Sequence, residues 1–204
     1  QAKPEEEAVY QRLAEIRNKV LDKTIISNAI VQWGMYKSFL SSPEACLSTA
    51  EKRLKELSAK EDKSLEINQL ELLTQSLKKL ELKNTSRFQL LLRELANLNW
   101  DGKPNSPRIL IFTESRLTQD ALSAALAKHF KIKFSHKAED QSNQVICTTH
   151  GGMADTQLAE TVEAFGTGSS KVRMMVATDV ASEGVNLHHQ CHNIIHYDLP
   201  WSII

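Results

Sequence analysis

At 204 residues and 41% hydrophobic side chains, the chain can build one large packed domain or two small ones. Its 25 Lys plus Arg balance 25 Asp plus Glu, so no overall positive field marks it as a nucleic-acid binder and any such binding must come from a local surface. Three scattered cysteines, Cys46, Cys147 and Cys191, make no disulfide framework, and no signal peptide or bilayer-length apolar run is visible, which points to a reducing, cytoplasmic setting and no membrane.

The first half reads as helical. Pro4 and three glutamates open a helix over residues 5–20, with Val9, Leu13, Ile16 and Val20 on one face and the acidic first turn matching the helix dipole. Residues 22–40 read as a second helix with a wide apolar face of Ile25, Ile26, Ala29, Ile30, Trp33, Tyr36, Phe39 and Leu40. Ser41-Ser42-Pro43 ends it. Pro43 and Glu44 open a third, striped by Leu47, Ala50, Leu54 and Leu57. A polar run over 58–64 breaks the pattern before Leu70, Leu73, Leu77 and Leu80 resume it, as in an antiparallel hairpin. Ser86 is the expected cap of a last helix over 87–98. These stripes and charge runs are a core face and a solvated face, with no cluster of ligands or nucleophiles.

Residues 101–107, with Gly102, Pro104, Asn105, Ser106 and Pro107, have the composition of a linker. The pattern then becomes α/β: strands over 109–112, 144–148, 172–177 and 193–197, and helices over 117–130 and 153–165. Alternation at these lengths implies right-handed crossovers and a parallel sheet. The polar stretch 131–143 reads as an exposed excursion.

The third strand runs into residues 177–187, Ala-Thr-Asp-Val-Ala-Ser-Glu-Gly-Val-Asn-Leu, a polar loop where open α/β sheets place ligands. A hydroxyl, a carboxylate and a glycine able to take φ > 0 suit phosphate or ribose. This stretch is similar to motif V of superfamily-two helicases, in the form found among Swi/Snf-like and RapA-like translocases. Residues 108–115, Arg-Ile-Leu-Ile-Phe-Thr-Glu-Ser, resemble motif IV. His150-Gly151-Gly152-Met153 resembles the histidine-glycine segment that follows it, and residues 193–202 resemble the strand and turn leading into motif VI.

The resemblance implies a RecA-like second lobe over 105–204, preceded by a helical subdomain over 1–104. It further implies ATP with Mg2+ as cofactors of the complete enzyme, nucleic acid, expected as duplex DNA, as partner, and a first RecA-like lobe elsewhere in the parent chain. The helical subdomain would contact DNA or a protein. Carried over residue by residue, Thr113, Glu114, Ser115, His150, Gly151 and Thr178 would meet the nucleic-acid strand. Gly184 and Asn186 would approach the ATP ribose, and Asp179 would orient the loop. Two departures stand out: Leu158 occupies a position where many relatives carry arginine, and the sequence reaches Ile204 ahead of the family's Gln-x-x-Gly-Arg-x-x-Arg. No catalytic residue is therefore assigned, and this chain alone is expected to be inactive.

Other chemistries fit less well. A Walker A loop and an Asp-Glu magnesium pair are missing, and residues 166–171, Gly-Thr-Gly-Ser-Ser-Lys, form a turn before a strand. His188, His189, Cys191, His192 and His196 invite a zinc reading, but their spacing lacks the closed pairs of such sites, and a polar loop between strands accounts for them. A Gly-x-Ser-x-Gly elbow and a dinucleotide-binding glycine turn are also missing. The competing reading is a nucleotide- or protein-binding scaffold without motor function.

Overall fold

The computed structural model describes residues 2–19, 26–59, 65–178 and 191–198. Eleven α-helices and β-strands lie in these segments: α1 (Pro4–Lys19), α2 (Ile26–Ser41), α3 (Pro43–Ser58), α4 (Leu65–Lys79), α5 (Ser86–Asn97), β1 (Arg108–Thr113), α6 (Arg116–Phe130), β2 (Ile146–Thr149), α7 (Asp155–Gly166), β3 (Met174–Thr178) and β4 (Cys191–His196), with short 3-10 turns at Leu82–Asn84 and Ala138–Asn143. The chain forms two compact units, residues 1–88 and 89–204, so the division falls inside α5.

In the first unit, α1 packs on α4, and α3 on both α2 and α4. Val9, Leu13 and Ile16 of α1 join Leu70, Leu73, Leu77 and Leu80 in one buried cluster, completed by Cys46, Ala50 and Leu57 of α3. Ser42 is extended (φ −161°, ψ 160°) and accepts from the Ala45 N–H at 3.0 Å, while Pro43 stands in the first turn, where its missing donor costs nothing. Arg53 on α3 forks onto Glu66 on α4 with N···O distances of 2.8 and 3.1 Å, fixing the pair's register.

Two expectations for this unit are corrected. Trp33 is 56% exposed; among the described side chains of α2 the buried apolar ones are Phe39, which the expected face includes, and Met35, which it omits. Three residues before Phe39 comes half-buried Tyr36, four before it Met35; Trp33 stands six before it, about 120° round the helix from Phe39 at 3.6 residues per turn. The cap of α5 is Thr85, not Ser86. Thr85 is extended (φ −74°, ψ 150°), its Oγ1 accepting from the Phe88 N–H at 3.3 Å, whereas the Ser86 N–H and hydroxyl are taken by the carboxylate of Glu6 at 3.0 and 3.1 Å.

Among the described residues the second unit holds a four-stranded sheet in the order β2-β3-β1-β4, every neighbouring pair parallel. From β1 the chain crosses β3 to reach β2, then turns back to β3. Right-handed crossovers in opposite directions put α6 and α7 on opposite faces. On the α7 face, Leu110, Cys147, Met175 and Ala177 pack with Phe165, while alternate residues such as Ile109, Ile111, Met174 and Val176 point the other way. Leu122 and Leu126 of α6 are fully buried.

Residues 101–107 are tied down locally. The Ser106 hydroxyl donates to Asp101 at 2.7 Å, Gly102 sits at φ 76°, and the Arg173 guanidinium donates to the Pro104 carbonyl at 2.7 Å. The stretch 131–143 is only partly the expected excursion, because Gln141 within it is 2% exposed. Its amide donates to the carbonyls of Ser135 and Lys137, and its Oε1 accepts from the backbone N–H of Thr148 in β2 at 2.8 Å and from the Thr148 hydroxyl at 3.1 Å.

Candidate functional site

Parallel strands of matched register end together. Thr113 of β1 pairs with Thr178 of β3, and Thr149 of β2 with Ala177, so β1, β2 and β3 deliver their following residues to one edge of the sheet. That edge gathers Thr113, Glu114, Ser115, His150, Gly151 and Thr178, the described residues singled out from sequence. Asp179, Gly184 and Asn186 lie outside the described residues, as do His188 and His189.

The turn after β1 is built by hydrogen bonds. Thr113 is 1% exposed, and its hydroxyl donates to Asp198 Oδ2 at 2.9 Å, while the Glu114 N–H donates to Asp198 Oδ1 at 3.0 Å. Asp198 is itself 8% exposed, just beyond β4. Ser115 is extended and caps α6, its Oγ accepting from the Thr118 N–H at 3.4 Å. Glu114 and Ser115 are half-buried, and Arg116 next to them is exposed. The positive end of α6 thus opens on the same edge, where backbone donors and a guanidinium favour an anionic ligand.

The histidine-glycine segment forms a tight turn. Met153 N–H donates to the His150 carbonyl at 3.1 Å, and Gly152 N–H donates to His150 Nδ1 at 3.1 Å. An acceptor at Nδ1 places the proton of the neutral ring on Nε2, which becomes a donor. Desolvation holds the His150 pKa below its ordinary value, helped by the Arg116 guanidinium and opposed by Asp120. A Cβ at position 152 would come within 3.3 Å of His150 Nδ1, so glycine there lets the amide reach the ring.

Two residues that sequence reasoning passed over organise this edge. Asp198 binds the turn after β1 to the end of β4. Gln119, fully buried in the first turns of α6, donates from Nε2 to the carbonyls of Thr149 and Val176, both at 2.7 Å. The available signal was a polar side chain on the helix face that otherwise carries Leu122 and Leu126. Arg116 was also missed.

The metal reading gains no geometry. Among the described residues no group of three or more His, Cys, Asp or Glu side chains converges. Cys191 is buried, its thiol directed at backbone carbonyls and its pKa raised by burial, whereas His192 and His196 are exposed. His196 stacks on Phe112, ring centroids 5.3 Å apart. No described helix is long and apolar enough to cross a membrane.

Residues 86–204 match the family described as the helicase conserved C-terminal domain. Among solved structures, the crystal structure of the C-terminal part of the Fun30 ATPase domain is similar with a TM-score of 0.53 and 11% identity, over 98% of this chain and 73% of that one. At that identity the likeness is one of fold.

Proposed function

The chain belongs to the helicase conserved C-terminal domain family, the second RecA-like lobe of superfamily-two motors, and from that premise we propose that it couples ATP hydrolysis to movement on duplex DNA in a Swi/Snf-like or RapA-like translocase. The observation that carries this reading is the convergence of three separate segments, 113–115, 150–151 and Thr178, on one edge of the parallel sheet. An extended polyanion needs several contacts in a fixed row, and strand ends of matched register supply one.

In this reading Glu114, Ser115, His150, Gly151 and Thr178 meet the strand, the His150 Nε2–H donating to a phosphate oxygen. Thr113 reaches the ligand through the turn that it anchors. Gly184 and Asn186 approach the ATP ribose, and Asp179 orients the loop between the two ligands. Mg2+ would come with the nucleotide phosphates and the first RecA-like lobe of the parent chain. ATP, when bound between lobes, supplies the phosphoryl transfer. The helical unit is a surface for DNA or a partner protein, and the setting is cytoplasmic.

The test is ATP turnover of the full-length protein with and without duplex DNA and RNA. Thr178→Ala should remove one phosphate hydrogen bond, and Gly184→Val should obstruct the loop; both should lower DNA-stimulated turnover and translocation. Wild-type rates in both variants would remove the motor assignment and leave a binding scaffold.

A further inference from the structure

We propose that Gln119 is a positioning residue, a single buried carboxamide that holds the strand ends leading to His150 and to Thr178 in fixed register with the helix that begins at Ser115. The inference rests on the reading that these segments meet nucleic acid.

Thr149 is the last residue of β2, and His150 follows it directly. Val176 stands two residues before Thr178 in β3. The β2–β3 pairing ends at Thr149 and Ala177, so the two strands are free to diverge just where their ligand-facing residues begin. Gln119 reaches from α6 to both, each of its two amide protons having its own carbonyl at 2.7 Å. The helix offering this amide is in turn fixed by the Ser115 cap and, through Glu114 and Thr113, by Asp198. Three segments distant in sequence are thus referred to one side chain.

Packing alone does not explain a carboxamide here. Gln119 is 0% exposed, and its Oε1 has no hydrogen-bond partner, as is also true of the Ser123 hydroxyl one turn further along α6. A buried acceptor left unsatisfied is unfavourable, and an unbranched apolar side chain of similar length would fill the space without it. What the carboxamide adds is directional. Two bonds from one planar group fix the separation of two carbonyls, and contacts misplaced by about an ångström weaken recognition steeply.

The experiment compares full-length wild type with Gln119→Met, which keeps the length and removes the donors, and Gln119→Asn, which keeps the amide one methylene shorter. Thermal unfolding, the duplex DNA concentration for half-maximal ATPase stimulation, and backbone amide exchange at Gly152 and Met153 are measured. Gln119→Met is expected to remain folded, to need roughly ten- to a hundredfold more DNA with a smaller change in maximal rate, and to exchange faster at both amides. Gln119→Asn should fall between it and wild type. If wild type shows no DNA stimulation, the functional reading fails, while amide exchange still judges the geometric role of Gln119. If wild type is stimulated and Gln119→Met matches it in half-saturation and exchange, the proposal is overturned. Should Gln119→Met not fold, Gln119→Asn decides by the same measures, and failure of both to fold makes the residue purely structural and overturns it as well.

Discussion

The hydroxyl of Thr113 donates to the carboxylate of Asp198 at 2.9 Å, across 85 residues of sequence, and the Glu114 N–H takes the other oxygen. A turn between a strand and a helix is thereby shaped by a residue just beyond the neighbouring strand β4. Asp198→Ala removes an acceptor from two donors, one of them fully buried, at a cost of about 1–3 kcal/mol. Asp198→Asn keeps one acceptor oxygen and should cost less. Urea unfolding midpoints of the two variants check the ranking, which reverses if the carboxylate is merely tolerated.

His150 provides a pH test with a definite sign. Its pKa lies below the ordinary 6.5, chiefly through desolvation and secondarily through Arg116. Above that value the folded and unfolded chains are both neutral at this residue. As pH falls through it, the unfolded chain takes up a proton that the folded chain still refuses, so stability declines until the lowered folded value is passed and then levels. NMR titration of the imidazole should give a midpoint below 6.5, and Arg116→Gln should move it part of the way back.

Glu44 shows the opposite dependence. Burial raises its pKa above 4.5, against hydrogen bonds that include the Leu82 N–H at 3.2 Å, and its Oε2 has no partner. A carboxyl that is easier to protonate when folded contributes stability that is full below 4.5 and lost as pH rises through the folded value. Glu44→Gln keeps an acceptor for Leu82 without the buried charge. It should unfold at equal or higher temperature than wild type at neutral pH, with a flatter pH profile just above 4.5.

At Gly102 the backbone is left-handed, φ 76°, and a Cβ would overlap Ile132 Cδ1. Gly102→Ala should destabilise the second unit by about 1–2 kcal/mol, read by thermal unfolding. Lys103→Ala next to it, with an exposed side chain, is the control expected to change little.

Periodic elements were legible because burial repeats. The strands of the second unit fall within a few residues of expectation, since uninterrupted runs such as Ile109, Leu110 and Ile111 have no stable place but a sheet covered on both faces. The residues that shape the edge were less legible, because each is a single polar side chain whose partner is remote: Asp198 for Thr113, Gln119 for Thr149 and Val176. Thr85 against Ser86 failed for the same reason. Either hydroxyl could cap α5, and the choice was made by Glu6, 80 residues from Ser86. Trp33 misled through its hydrophobicity alone, its position on α2 being about 120° round the helix from Phe39.

The Gln141 carboxamide has a consequence for how the protein behaves among its own copies. β2 is an outermost strand, and such a strand is a template onto which another chain can polymerise. With Gln141 Oε1 seated on the Thr148 N–H, an incoming strand would first have to evict a buried side chain that itself grips Ser135 and Lys137. A stretch that reads as spare length between a helix and a strand therefore acts as a stopper against self-association on that side of the sheet.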